Sequence, residues 1–215
     1  DDFAFGTVAS IATGSGVQPS TLVRFAQALG YLGFTDLQQV FRARLRERRP
    51  SYEARLQALR AHADPAAAAG RLFAGFTEAA ARSLASMRDS LDLRTIERAI
   101  EVLAGAGTIY LAGQRRSYPV VAYLGYGLGK LGVRNVLLGS AAGTDPETMS
   151  FAGPADALLA VSVAPYAPAT LALVADAVAR GVPVVALSDG LSSPLAATAV
   201  VMIEIVEADF EGFRS

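Results

Sequence analysis

At 215 residues, 52% hydrophobic and with a mean hydropathy of +0.35, the chain can bury a substantial core, which excludes global disorder and suits one large domain or two small ones. It has no cysteine, which removes disulfide frameworks, thiol nucleophiles and cysteine metal sites together and fits a cytoplasmic location. The net charge of −1 is unevenly spread, since residues 1–62 hold eight arginines against five Asp/Glu (+3) and residues 63–215 hold eleven basic residues against fifteen acidic ones (−4).

A modestly basic front joined to an acidic body fits nucleic-acid contact at one end. No run of about 18 uncharged apolar residues occurs, so no membrane span is expected. The chain starts at Asp1 rather than Met and shows no basic-then-apolar leader, which fits a fragment of a longer product without a secretory signal.

Residues 1–62 read as helices without strands. Phe5-Gly6-Thr7 opens a short helix with Val8, Ile11 and Ala12 on one face, and Gly14-Ser15-Gly16 breaks it. Gln18-Pro19-Ser20-Thr21 starts a second helix with proline at its first position and Leu22, Phe25, Ala26 and Leu29 as the buried face. Gly30 stops it. Thr35 is the expected N-cap of a third helix carrying Leu37, Val40, Phe41 and Leu45.

Helix, glycine turn, helix is the spacing of a helix-turn-helix, whose second helix enters the major groove. The exposed start of that helix offers Gln18, Ser20, Thr21 and Arg24, whose chemistry suits phosphate and base edges. The same spacing suits a helical subdomain with a solvated face. Arg42, Arg44, Arg46, Arg48 and Arg49 do not line one helical face and read as a solvated helix end running into a linker.

Residues 51–64 are polar and helical in pattern, and from Arg71 to Arg88 an amphipathic helix carries Leu72, Phe76, Ala80, Leu84 and Met87. The body then alternates. Asp92 caps a helix to about Ala104, strand 108–112 follows, and Ser117 stands as N-cap of helix 117–131, with Val120, Val121, Leu124, Leu128 and Leu131 inside.

Further strands are expected at 135–138, 157–163, 183–188 and 199–206, with a helix at 168–180 and a short one from Ser193. Such alternation means an α/β fold with a five-stranded parallel sheet, doubly wound. Ligands in these sheets sit beyond the carboxyl ends of the strands, where Gly113–Ser117, Ser162–Thr170 and Ser188–Ser193 converge.

Taken together, VQPSTLVRFAQALGYLGFTDLQQVF, GQRRSYPVVAYLGYGLGKLG and VSVAPYAPATLALVADAVARGVPVVALSDGLSSPLA resemble the RpiR/MurR-type bacterial transcriptional regulators, from about Val8 to Arg214. The resemblance implies a helix-turn-helix domain over residues 1–49, a linker over 50–64 and a flavodoxin-like sugar-isomerase (SIS) domain over 65–215. It also implies a family helix before Asp1 and a closing helix after Ser215 that this chain lacks. A homodimer or higher oligomer would bind palindromic operator DNA and sense a phosphorylated sugar or similar small anion.

The candidate effector residues are Gly113, Arg115, Arg116, Ser117, Ser162, Tyr166, Thr170 and Ser188. The family's first loop commonly reads Gly-x-Gly-x-Ser, and here Arg115 replaces the second glycine. In the second loop Ser162 and Thr170 are kept, while Ala164 and Ala167 stand at hydroxyl positions and Ala169 where Glu is frequent. Arg115 or Arg116 compensates as a phosphate clamp, the ligand differs, or the phosphate site has degenerated.

Catalysis is disfavoured, leaving a sugar-phosphate isomerase or lyase as the alternative. The single histidine, His62, reads as a solvated linker residue, and Glu147 as helix-capping chemistry rather than a base. No metal site and no cofactor are expected.

Overall fold

The structure, a computed structural model, describes residue 3 and residues 7–48, 52–61, 68–139, 143–190 and 192–214. His62 and the opening residues 5–6 lie outside them. Contacts group the chain into two compact units, residues 80–208 and residues 1–79 with 209–215. The division falls between Ala79 and Ala80, whereas the sequence places the change between about Arg49 and Asp64. Of the expected linker, the described part is the helix Tyr52–Ala61.

The first unit opens with helices α1 (Val8–Gly14), α2 (Pro19–Ala28) and α3 (Phe34–Arg48). Gly16, at φ +65°, lets α1 end with Gly16 N–H bonded to the Thr13 carbonyl and Val17 N–H to that of Ala12. Gly30, at φ +87°, closes α2 in the same way. Ala12, Ala26, Phe34 and Leu37 are buried, and Phe3 sets its ring edge-on to Phe34 and Phe41.

Two expectations fail here. The buried stripe of α2 runs through Leu22, Val23 and Ala26, while Phe25 and Leu29 are half exposed. The core took the small Ala26 and the branched Val23, which turns the helix so that Phe25 lies on the flank. Thr35 is also not an N-cap: α3 begins at Phe34, and Asp36 receives the Leu32 N–H at 3.1 Å. The arginine run from Arg42 belongs to α3 as far as Arg48, and Arg49 lies outside the described residues.

After α4 (Tyr52–Ala61) comes the long helix α5 (Ala68–Ser90), on which Leu84, expected inside, is 70% exposed. The first unit is completed by a hairpin the sequence did not reveal, β6 (Asp209–Phe210) and β7 (Phe213–Arg214). It packs on α4 and α5, with Phe210 edge-on to Phe76, Phe213 edge-on to Tyr52, and Glu211 paired with Arg71.

The second unit holds α6 (Leu93–Ala104), β1 (Ile109–Ala112), α7 (Tyr118–Lys130), β2 (Asn135–Leu138), α8 (Asp145–Met149), β3 (Ala157–Val161), α9 (Pro168–Ala179), β4 (Val184–Ser188) and β5 (Val201–Glu204). Its five strands are all parallel in the order β2-β1-β3-β4-β5. Alternation along each strand feeds two cores. Tyr110, Ala112, Leu158 and Ala160 join Met149, Leu173 and Ala177 on the α8–α9 face, and Ile109, Leu111, Leu159 and Val161 join Ala99 and Val121 on the α6–α7 face. Strands covered on both sides read as unbroken apolar runs, as these do.

Val120 and Leu131, expected inside α7, are 45% and 78% exposed, because Val121, Leu124 and Leu128 face the sheet instead. The short helix expected at Ser193 is a run of turns. Asp92 caps α6 as expected, its carboxylate accepting the Arg94 N–H at 3.1 Å. Asp92→Ala should therefore cost about 1 kcal/mol, read as a lowered denaturation midpoint at unchanged slope.

Candidate functional site

The rim at the carboxyl ends of the strands is built from the loops after β1, β3 and β4. Gly113 leaves β1 so tightly that an added Cβ would meet the Ser117 carbonyl and a Val121 methyl at 3.1 Å. A 3-10 turn, Arg115–Ser117, follows. Ser117 precedes α7 but makes no side-chain cap; it is buried, and its N–H donates to the Gln114 carbonyl at 3.1 Å.

Arg115 has φ +56°, so the backbone keeps a glycine-like left-handed turn although the residue is arginine, at about 1–2 kcal/mol. Its side chain is exposed. The Arg116 guanidinium, by contrast, is held by both Glu207 oxygens, at 2.6 and 2.7 Å.

The β3 and β4 loops are stitched together by polar side chains. Ser188 Oγ lies 2.6 Å from the Ser162 carbonyl oxygen and 2.6 Å from Ser193 Oγ. A hydroxyl has one proton, so Ser188 donates to the carbonyl and Ser193 donates to Ser188. The Leu195 N–H closes the chain by donating to Ser193 Oγ at 3.3 Å. Ser162 Oγ accepts the Ala167 N–H at 3.4 Å, and the Asp189 carboxylate accepts the Ala164 N–H at 3.0 Å and the Tyr166 O–H at 2.8 Å.

Ser188 and Thr170 are fully buried, so neither faces a ligand in this structure, and Thr170 Oγ1 has no hydrogen-bond partner. Ser188→Ala strands the Ser193 hydroxyl and the Ser162 carbonyl, and should destabilise the fold by about 1–3 kcal/mol, measurable by urea denaturation.

A cavity of about 410 Å³ opens beside these loops. Gln114 lines it from the β1 loop, Gly143, Asp145 and Pro146 from the start of α8, and Ala169, Ala172, Leu173, Asp176 and Arg180 along α9. The eight expected effector residues are not in that lining, but Gln114 and Ala169, next in sequence to Arg115 and Thr170, are.

Both carboxylates in the lining are engaged. Asp145 accepts the Gly139 N–H at 2.9 Å, and Asp176 pairs with Arg180 at 2.9 Å. Glu147 is exposed in the first turn of α8. Burial, and then the Asp156 carboxylate, raise the Tyr110 hydroxyl above its ordinary pKa, so it stays protonated in the core. Among the described residues no three His, Cys, Asp or Glu side chains are grouped to hold a metal ion, and no helix is long and apolar enough to cross a membrane.

A family model described as the SIS domain matches residues 102–214. The chain belongs to the SIS domain family. Its fold is similar to the sugar isomerase domain of an RpiR transcription factor from Sphaerobacter thermophilus, at 29% identity and a TM-score of 0.64, covering 67% of this chain and 81% of that one. It is also similar to the Vibrio vulnificus NanR protein complexed with ManNAc-6P, at 21% identity and TM-score 0.59, covering 98% and 71%. Phosphoheptose isomerase from Neisseria gonorrhoeae shares the fold at 18% identity and TM-score 0.53, covering 63% and 85%. A search of curated proteins found no match.

Within this SIS domain the sequence located the loops and missed what fills them. Asp189 and Glu207 are not among the residues it points to. Asp189 carried a signal, a carboxylate directly after an apolar strand. Glu207 carried none, since Arg116 lies 91 residues away.

Proposed function

We propose that the chain is a cytoplasmic DNA-binding transcriptional regulator, not an enzyme, whose SIS domain binds a small sugar-derived effector carrying a phosphate or similar anion. The observation that carries this reading is the exposure of Gln18, just before α2, and of Ser20, Thr21 and Arg24 on it, the last three turned away from the Leu22-Val23-Ala26 stripe. A second helix that follows a tight glycine turn and presents hydroxyls and a guanidinium outward is suited to the major groove. Similarity to the sugar isomerase domain of an RpiR transcription factor supports the effector half of this reading, as does the fold shared with NanR, a protein solved with a phosphorylated sugar.

The anion would meet the rim at Arg115 and Arg116, with Gly113, Ser117, Ser162 and Tyr166 shaping the loops around it. A homodimer would set two copies of α2 on a palindromic operator. The domain boundaries of this reading are 1–49 for DNA, 50–64 for the join and 65–215 for the effector.

The test is selection of genomic fragments by the purified protein, followed by titration of the enriched site. Affinity should fall steeply between about 50 and 200 mM salt, as phosphate contacts release counterions. Failure to enrich any fragment, or turnover of a sugar phosphate by the protein, would overturn the reading.

A further inference from the structure

Three of the donors on the rim that could hold an external anion are engaged from within the chain. Both arms of the Arg116 guanidinium are taken by Glu207, and the Ala164 N–H and Tyr166 O–H by Asp189. The two-pronged geometry that holds Glu207 is the one by which arginine holds a carboxylate or phosphate of a ligand. Arg116 is 45% exposed and Glu207 only 14%, so the guanidinium can be approached from solvent while its internal partner lies beneath.

Glu207 also stands at a mechanically placed point in the chain. It follows β5 and precedes the β6–β7 hairpin, and the next N–H, that of Ala208, donates to Ser83 Oγ at 2.9 Å. The hairpin itself is fixed to α4 and α5. Phe210 fills the space left by Gly75, where an added Cβ would run into its ring, and the Gly212 carbonyl accepts from Arg55 at 2.7 Å. Within the second unit, residues 205–208 are held by the Ile205 N–H on the Ser188 carbonyl, by the Glu207–Arg116 pair and by Ala208 on Ser83.

We propose that Glu207 is an internal stand-in for the effector's oxyanion: a phosphate monoester or carboxylate binds Arg116 by displacing Glu207, and the released carboxylate loosens residues 205–208. This deepens the effector reading given above and rests on it. Glu207 then sets the threshold for the anion, since a ligand must outcompete a bidentate ion pair already in place.

The probes are inorganic phosphate and glucose 6-phosphate, titrated calorimetrically into the full chain. Glu207→Gln removes the competing charge and should tighten binding by about tenfold or more over the parent chain. The gain should vanish in the Arg116→Ala/Glu207→Gln double variant. Amide exchange over residues 205–208 should quicken when a probe is added to the parent, and should be fast in Glu207→Gln without one.

Equal affinities in parent and variant, including no measurable binding by either, would overturn the proposal. So would faster exchange in Glu207→Gln without the gain in affinity, which is what a merely structural ion pair would produce. Should Glu207→Gln not fold, Arg116→Gln breaks the pair from the other side. It should show fast exchange and no response to phosphate, and a retained response counts against displacement. Absence of DNA binding by the parent chain would sink the regulator reading and leave the anion result standing.

Discussion

Arg24→Ala should weaken binding to the selected DNA by about 5- to 150-fold, the equivalent of about 1–3 kcal/mol for loss of a guanidinium contact to a base edge or phosphate. The direction follows from where Arg24 sits. It is exposed on α2, opposite the stripe that packs Leu22, Val23 and Ala26 into the first core, so truncation removes a contact surface without opening a hole. The melting temperature should stay within the small range typical of surface substitutions.

The two roles open to Arg24 are separable. If it reads a base, Arg24→Ala relaxes preference at one operator position. If it holds a phosphate, affinity falls uniformly across sequences and the salt dependence loses about one unit of slope. An unchanged affinity would mean that α2 is not the recognition helix, whatever else binds DNA.

The second large effect is on stability. Leu158→Ala should destabilise the protein by about 2–5 kcal/mol, the range for deleting a buried leucine in a core that only partly collapses. Leu158 is fully buried on β3, the middle strand of the order β2-β1-β3-β4-β5, and belongs to the cluster with Leu138, Met149 and Leu173. Hydrogen-bonded strands on either side leave its backbone little freedom to move into the void. Chemical denaturation should show a lower midpoint with the slope preserved. A loss below about 1 kcal/mol would mean the α8–α9 face is loosely packed.

The parts of the fold that the sequence made legible are those governed by local chemistry. Gly16 and Gly30 read as helix stops, and each sits at positive φ closing a helix. Asp92 reads as a cap and is one. The run at 157–163 reads as a strand covered on both sides, and Leu158 and Leu159 do serve opposite cores.

What failed depended on choices made across the chain. Whether Phe25 or Val23 enters the core is decided by the residues that meet α2, not by its own periodicity. The hairpin 209–214 has two-residue strands, too short for an alternation signal, and its turn places Glu211 and Gly212 at positive φ without an Asn-Gly or Asp-Gly cue.

The site shows the same division. The strand ends told where the loops are, because parallel strands fix the rim. They could not tell that Ser188 would be spent on the Ser162 carbonyl, or that Arg116 would be spent on Glu207, since each partner comes from a different strand.

The first compact unit is made of residues 1–79 together with 209–215, and this has a bearing on how the protein is born. On the ribosome the helices of residues 8–61 emerge early, yet the aromatic ring pairs made by Tyr52 and Phe76 wait for Phe210 and Phe213. The whole of residues 80–208 must be synthesised in between. Closing contacts over so long a loop is slow compared with forming local helices. The nascent front unit thus lacks the ring partners of Tyr52 and Phe76 until residues 209–214 arrive. Maturation of the α4–α5 region is thereby tied to synthesis of the whole SIS sheet.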